Sequence, residues 1–192
     1  HFANVLFNTM RGGIYSEGYT LNASFFNKHI QHFNKKCWEK HSKFLLSIPE
    51  KIEYKELLTL IEEQNDENLH RLFLEYLPLT FSRRHGDPSR PWNLFNINIK
   101  DENGDKLLSY QGNWRDIFQN WEALSLSYPE YINGIIAKFL NATTADGYNP
   151  YKVTNEGIEW EVIEPENPWS NIGYWGDHQI IYLLKLMEVS RN

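Results

Sequence analysis

Apolar side chains recur at helical spacing along most of this chain, and that pattern constrains the fold more than any other feature. The first run begins at Asn22 or Ser24, either of which can cap a helix, and continues to about residue 46. A second run covers residues 54–63, and Asp66 caps a third run that stops near Pro78. The first half of the chain is therefore predicted to be a series of helices.

The second half combines further helices with a short stretch of alternating polar and apolar residues. Helical spacing covers residues 114–127, 129–140 and 178–189. Residues 94–110 alternate around an Asn-Gly turn, which predicts a β-hairpin. The sequence thus predicts a mainly α fold of helical hairpins with one small inserted β-hairpin, in a single domain over residues 1–192.

Charge and cysteine content exclude several classes of partner. The net charge is -6 at pH 7, whereas binding to nucleic acid phosphates needs a basic face. A membrane is not an expected partner either, because no apolar run approaches the length that crosses a bilayer. Cys37 is the single cysteine, so an internal disulfide and a thiolate zinc site are excluded, and no metal or cofactor is expected. A lone cysteine also fits a reducing compartment, which favours a cytoplasmic over a secreted location.

Aromatic residues are abundant and unevenly distributed. Phe, Trp and Tyr make up 15% of the chain, and six of the seven tryptophans lie beyond residue 90. Because Trp is large and rarely wholly buried, such a cluster suggests a surface that holds a flat, partly apolar ligand such as a pyranose ring. Ordinary packing of tryptophans in the core is the alternative, and composition does not separate the two.

One polar cluster lies where a predicted strand meets a helix. Trp114, Arg115 and Asp116 open the helix, and Gln119 follows one turn later. We expect these residues to bind substrate, with Arg115 and Asp116 hydrogen-bonding to sugar hydroxyls. Asp116 is also a candidate catalytic carboxylate. The alternative is a helix-capping Asp beside a surface Arg, which is the commoner arrangement.

Two further clusters lie in segments rich in Gly, Pro and Trp. In residues 83–93, Arg84 is a candidate ligand for hydroxyl or phosphate groups, and internal pairing of arginine with Asp87 is the alternative. The other cluster belongs to a long segment with little helical pattern, and its candidate sugar-binding residues are Asp146, Tyr148, Trp169, Tyr174, Trp175, Asp177 and His178. Glu161 is a candidate catalytic acid, because the neighbouring Trp160 would shield the carboxyl group and favour its protonated form.

The order of these clusters is similar to that in a known group of enzymes. Trp114-Arg115-Asp116 opening a helix resembles the Arg-Asp motif of glucoamylase-like and debranching-enzyme-like (α/α)6 barrels. The Gly-x-x-Pro of residues 147–150, followed by residues 169–179, resembles the next part of those barrels. The resemblance spans about residues 112–187. It implies that Arg115, Asp116 and Asp177 contact substrate, with Trp175 or Tyr174 as a stacking wall.

A second resemblance concerns the loop over residues 83–93. It is similar to an Arg-His-Gly-Asp loop of cellobiose-phosphorylase-like chains, in which the Asp is the proton donor. This resemblance implies that Asp87 acts as the acid, although the loop precedes the Arg-Asp motif here in an order that differs from those chains.

Together these patterns predict a carbohydrate-active protein. The expected function is that of a glycoside hydrolase-like or phosphorylase-like segment that binds an oligosaccharide and contributes to cleavage of a glycosidic bond. Six helical hairpins need far more than 192 residues, so we expect a portion of a larger barrel, with the rest of its own chain or another copy as partner. A non-catalytic carbohydrate-binding domain and a helical protein-interaction domain are the alternatives.

Overall fold

Helices dominate the structure, which confirms the predicted mainly α class. The computed structural model describes residues 2–3, 13–80, 99–161, 165–166, 172–176 and 179–191. In these ranges the main helices are α1 (Ala23–Phe33), α2 (Lys35–Ser47), α3 (Tyr54–Glu63), α4 (Glu67–Glu75), α5 (Trp114–Ser127), α6 (Ile132–Ala142) and α7 (Gln179–Arg191). One turn of 3-10 helix, Pro129–Tyr131, joins α5 to α6.

Short strands pair in the spaces between the helices. They are β1 (Ile14–Tyr15), β2 (Thr20–Asn22), β3 (Lys51–Glu53), β4 (Leu79–Thr80), β5 (Gln111–Asn113), β6 (Tyr148–Asn149), β7 (Lys152–Thr154), β8 (Gly157–Glu159) and β9 (Tyr174–Trp175). All of these pairings are antiparallel: β1 with β4, β2 with β3, β6 with β9, and β5 and β8 on either side of β7. Because each strand has only two or three residues, these pairings fix connections between helices and do not form an extended sheet.

The first predicted helix is divided at Asn34, which corrects the expectation of one continuous helix to about residue 46. Asn34 has an extended backbone (φ −151°, ψ 90°), and its side chain accepts a hydrogen bond from Cys37 N at 3.0 Å. Asparagine side chains compete for backbone hydrogen bonds, so this residue ends α1 and caps α2. Asn27 Nδ2 donates to Leu45 O at 3.2 Å, which places the two helices side by side in a hairpin.

The other predicted features of the first half are confirmed. Asn22 and Asp66 each accept hydrogen bonds from two backbone N–H groups of the helix that follows, α1 and α4 respectively. α3 occupies the predicted range, residues 54–63. The large apolar side chains of these helices, Phe26, Ile30, Leu45, Leu57, Ile61, Leu69, Leu72 and Phe73, are almost fully buried. Each of these helices therefore buries one apolar face in the core.

Helices α5, α6 and α7 pack side by side in the second half. α5 has the predicted bounds, whereas Pro129 begins a 3-10 turn and α6 starts only at Ile132. Ser190 Oγ near the end of α7 donates to Asn133 Oδ1 at the start of α6 (2.6 Å), and Lys185 of α7 reaches Glu122 of α5 at 3.3 Å. Since α6 returns along α5 after a one-turn connection, α7 runs parallel to α5, with both N-termini at the same end.

The predicted hairpin at residues 94–110 is described only from residue 99 onward. There it consists of one antiparallel bridge, Lys100 to Lys106, around a turn in which Asp101 Oδ1 accepts two backbone hydrogen bonds. The predicted returning strand over residues 107–110 is not a strand. Regular pairing begins at Gln111, and its partner is β7. β8, on the other side of β7, ends at Glu159.

The two halves share one continuous core. α4 packs against α6 at Gly134, where an added Cβ would lie 2.3 Å from the backbone oxygen of Leu74. The ring of Tyr15 stacks on that of Tyr131, with centroids 4.0 Å apart and planes 11° from parallel. None of the helices in the described ranges is long and apolar enough to traverse a lipid bilayer.

Candidate functional site

One end of the helical layer carries most of the polar and aromatic candidates that the structure describes. α5 begins directly after β5, and α7 begins four residues after β9. The free N–H groups of parallel helices at a common end create a partly positive region that favours hydroxyl and carboxylate ligands. The residues around this end are therefore the main candidates for a binding site.

Backbone hydrogen bonds tie the start of α5 to the strands around it. Trp114 N donates to Tyr151 O at 2.9 Å, and Tyr151 N donates to Glu159 O at 2.9 Å. Asn113 of β5 pairs with Lys152 of β7. Segments that are some 40 residues apart in the sequence thus meet beside the helix terminus.

Three partly exposed aromatic rings form a cluster at this end, which we call the aromatic platform: Tyr148, Trp160 and Trp175. The rings of Tyr148 and Trp160 are nearly parallel (11°) with centroids 6.0 Å apart, and Trp175 is tilted by 60° against Tyr148 at 5.0 Å. Trp175 is 63% exposed and Trp160 is 36% exposed. Rings that contact one another and still face solvent offer the flat apolar surface on which a sugar ring can stack.

Gly173 allows the platform to form. A Cβ at this position would lie 2.3 Å from Asn149 O and 2.8 Å from the ring carbon and hydroxyl of Tyr148. The segment that leads into β9 therefore approaches β6 more closely than any residue with a side chain could. This close approach holds Trp175 against Tyr148, because Tyr148 and Trp175 are register partners in the β6–β9 pair.

Trp114, which the sequence suggested as a substrate-binding residue, lies in the core instead. Its side chain is fully buried, with its ring 4.7 Å from that of Phe118 and 5.5 Å from that of Phe139. A tryptophan packed on all sides has no free face for a ligand. Trp114 is the first residue of α5, directly after β5, and its side chain faces the core.

The polar candidates of the same helix lie outside the core. Arg115 and Gln119 are exposed and lie one helical turn apart on the same side of α5, and Asp116 is half-buried. The N-cap of this helix is Asn113, whose side chain accepts a hydrogen bond from Arg115 N at 3.0 Å. Asn113 is therefore the N-cap of α5, and Asp116 lies in the first turn of the helix.

The remaining sequence candidates fall into two groups. Glu161 and Asp146 are both exposed, so Trp160 does not enclose the Glu161 carboxyl as the sequence suggested. Asp146 accepts a hydrogen bond from Thr144 Oγ1 at 2.5 Å. Tyr174 is described only as a residue of β9. The other candidates lie outside the described residues: Arg84, Asp87, Trp169, Asp177 and His178.

Trp160 is the functional candidate that sequence reasoning did not assign. It was considered only as a neighbour of Glu161, whereas the structure places its ring parallel to that of Tyr148. Its position directly after β8 was the available signal, but the fold-back of β8 on β7 is needed to bring it near Tyr148.

A second polar cluster, of Cys37, His41 and Asp66, lies in the first half. One ligand atom from each of the three lies within 4.8 Å of the others. His41 Nε2 (2.9 Å) and Lys40 Nζ (2.5 Å) both contact the same Asp66 oxygen, and these hydrogen bonds hold the pKa of Asp66 well below its usual range. Burial raises the pKa of the Cys37 thiol. The Asp66 carboxylate caps α4 and is hydrogen-bonded to Lys40 and His41 of α2, so this capping network fixes α4 against α2.

The comparisons with known proteins point to carbohydrate enzymes. Residues 15–78 match the model of glycoside hydrolase family 149 insertion domain 1. Comparison with the curated proteins gave no match. The matched segment runs from β1 to the residue before β4, and its ends meet, because Ser16 N donates to Pro78 O at 3.0 Å. The match supports a glycoside hydrolase-related protein, and it covers a helical segment for which the sequence had suggested no carbohydrate role.

Proposed function

We propose that this chain is a carbohydrate-binding part of a glycoside hydrolase-related protein and that the aromatic platform holds an oligosaccharide. The observation that carries the proposal is the set of three partly exposed rings, with Trp160 and Trp175 each beside Tyr148, at the end where α5 and α7 begin. The family match of residues 15–78 supports the class of ligand independently of the platform.

The platform and the helix supply complementary halves of a sugar site. The apolar face of a pyranose stacks on the indole of Trp175, while its hydroxyl groups need directional hydrogen-bonding partners. Arg115 and Gln119 on α5 and Asp146 before β6 are exposed polar side chains at this end of the molecule. Stacking provides affinity for many sugars, and these polar groups would determine which hydroxyl pattern is accepted.

A contribution to bond cleavage would require two carboxyl groups on opposite sides of the glycosidic bond. Asp116 and Glu161 are the described candidates. Trp114, near Asp116, is hydrogen-bonded to Tyr151, which is in turn hydrogen-bonded to Glu159, near Glu161. The backbones at the two candidates are therefore about two strand spacings apart, roughly 10 Å. In the proposed reaction one carboxylic acid protonates the leaving oxygen while water or phosphate attacks the opposite face of the anomeric carbon. Asp87 remains a predicted acid from the resemblance alone.

A non-catalytic binding role is the second candidate. It is favoured by the identity of the matched family model, which describes an insertion domain, and by the exposure of Glu161. In that case the platform binds sugar and neither carboxylate participates in chemistry.

Binding is tested by calorimetry and tryptophan fluorescence with a panel of α-linked and β-linked gluco-oligosaccharides. Trp175→Ala should lower the affinity at least tenfold, because it removes the most exposed ring of the platform. The matched control is Leu126→Ala, which removes a similarly exposed apolar side chain (62%) at the other end of α5. Equal binding by wild type and both variants, or no binding by wild type to any member of the panel, refutes the proposal.

Cleavage is tested separately with the same oligosaccharides, with and without inorganic phosphate. Loss of product in both Asp116→Asn and Glu161→Gln, with binding retained, supports the catalytic assignment. Binding without product in wild type assigns the chain to the non-catalytic alternative.

A further inference from the structure

A cavity of about 270 Å³ lies between the two halves of the chain, away from the aromatic platform. Its walls come from α1, the end of α4, α6 and the β7–β8 turn. Phe25, Phe33, Tyr76 and Tyr110 supply aromatic surface. Neither the sequence patterns nor the family match assigns a role to this cavity.

Lys138 is the buried cation of the cavity. The residue is only 7% exposed, and its Nζ lies 5.8 Å from the centre of the Tyr110 ring. In the part of the chain that the structure describes, its one hydrogen bond is a long one, 3.5 Å to Glu75 O at the end of α4. An ammonium group has three N–H donors, and a buried charge is costly unless these donors are satisfied. Lys138 therefore has donors left for a ligand.

His29, on α1, is a second titratable residue of the cavity lining, and it is uncharged. Burial, with a contribution from Lys138, lowers the pKa of His29 to about 3, so the ring is neutral at physiological pH. Its Nε2 lies 3.1 Å from Leu72 O, and because a carbonyl can only accept, Nε2 carries the proton. The ring is held between Phe33 (4.6 Å) and Tyr76 (5.1 Å). It extends the flat apolar wall without adding charge.

The charges around the cavity favour an anion. Glu75 is already paired, since its Oε1 accepts from Arg71 at 2.8 Å and from Asn141 at 2.6 Å. Lys28 and Glu156 are exposed at the rim and offset each other. Lys138 is then the uncompensated charge among the described lining residues, in a chain whose net charge is -6.

The geometry points to a binding site for a small organic carboxylate with a flat apolar body, distinct from the proposed sugar site. The carboxylate accepts hydrogen bonds from Lys138 Nζ, and the body lies against the rings of Phe33, His29 and Tyr76. The size of the cavity suits a single ring with one acidic group and excludes an oligosaccharide chain.

The test compares benzoate with its neutral isostere benzamide by ligand-observed NMR on the wild-type chain. Benzoate, with about nine heavy atoms, should bind in the millimolar to high-micromolar range. Benzamide should bind at least tenfold more weakly, because it offers no negative charge to Lys138. Equal binding of the two compounds, or no binding of benzoate, overturns the proposal without any need for a variant.

Lys138→Met and a matched control locate the site. The change keeps the length of the side chain and removes its charge, so benzoate affinity should fall at least tenfold. Lys185→Met is the control, because Lys185 also lies over a tyrosine ring, Tyr182 at 5.2 Å, but on α7. Retained benzoate binding in a folded Lys138→Met chain refutes the assignment. Trp175→Ala should leave benzoate binding unchanged, so this result does not depend on the sugar site.

Discussion

The contact between α4 and α6 leads to a sharp prediction for Gly134→Ala. In an isolated helix this substitution is stabilising by about 1 kcal/mol, because alanine has the higher helix propensity. In this structure the new Cβ would lie 2.3 Å from Leu74 O and 3.3 Å from Leu77 Cδ2. The first of these neighbours is a backbone atom within α4 and cannot rotate away.

The magnitude follows from how far the helices must separate. Ordinary contact for a Cβ begins at 3.4 Å, so α6 must move about 1 Å away from α4 at this point. Overpacking costs about 1–3 kcal/mol, and a backbone obstacle places this contact in the upper part of that range, about 2–3 kcal/mol, from which the propensity gain of about 1 kcal/mol is subtracted. We expect a net loss of about 1–2 kcal/mol in the free energy of unfolding, or about 2–8 °C in melting temperature for a chain of this size.

Urea unfolding, monitored by circular dichroism, measures this change in stability. An equal m value for wild type and variant would show that both expose the same surface area on unfolding. Ala137→Gly on the same helix is the control. It should cost about 0.5–1 kcal/mol through propensity and slight loss of packing alone. If Gly134→Ala proves as stable as wild type or more stable, the close approach of α4 and α6 is not a real feature of the fold.

Two further predictions concern the capping network and the platform. Asp66→Asn should destabilise the chain by about 1–3 kcal/mol at pH 7. Contacts with His41 and Lys40 depress the pKa of Asp66 in the folded state. The stabilisation is therefore present above the unfolded-state pKa of about 3.9 and fades below it, so the melting temperatures of wild type and variant should converge as the pH falls below about 4. A constant difference in melting temperature down to pH 2 would contradict this. Gly173→Ala should weaken oligosaccharide binding at least as much as Trp175→Ala, with little change in helical content by circular dichroism, and unchanged binding would show that the approach to Tyr148 is not needed.

Helix boundaries were predictable where a local signal determines them. Asn22 and Asp66 cap the helices that follow, and α3 and α5 occupy their predicted ranges. These features depend on residues within a few positions of each other, so a single sequence contains the needed information. The division at Asn34 was missed because the apolar spacing continues through it while its side chain caps the second helix.

Features that depend on distant segments were not predictable. β5 pairs with β7, about 40 residues away, and no local pattern indicated this pairing. The platform joins Tyr148 to Trp160 and Trp175 through two separate strand pairings, so composition indicated an aromatic surface without showing its members. Trp114 was assigned to that surface from its helix-opening position, whereas its packing against Phe118 and Phe139 is a tertiary effect.

The antiparallel pairing of β1 with β4 brings the chain into the first helical unit and out of it along one two-residue ladder. The entry and exit points of such a unit are adjacent, so a surrounding fold can connect to it through two neighbouring backbone positions. The unit is not independent of its surroundings, because α4 packs against α6 at Gly134 and Tyr15 stacks on Tyr131, so the neighbouring helices must complement its surface.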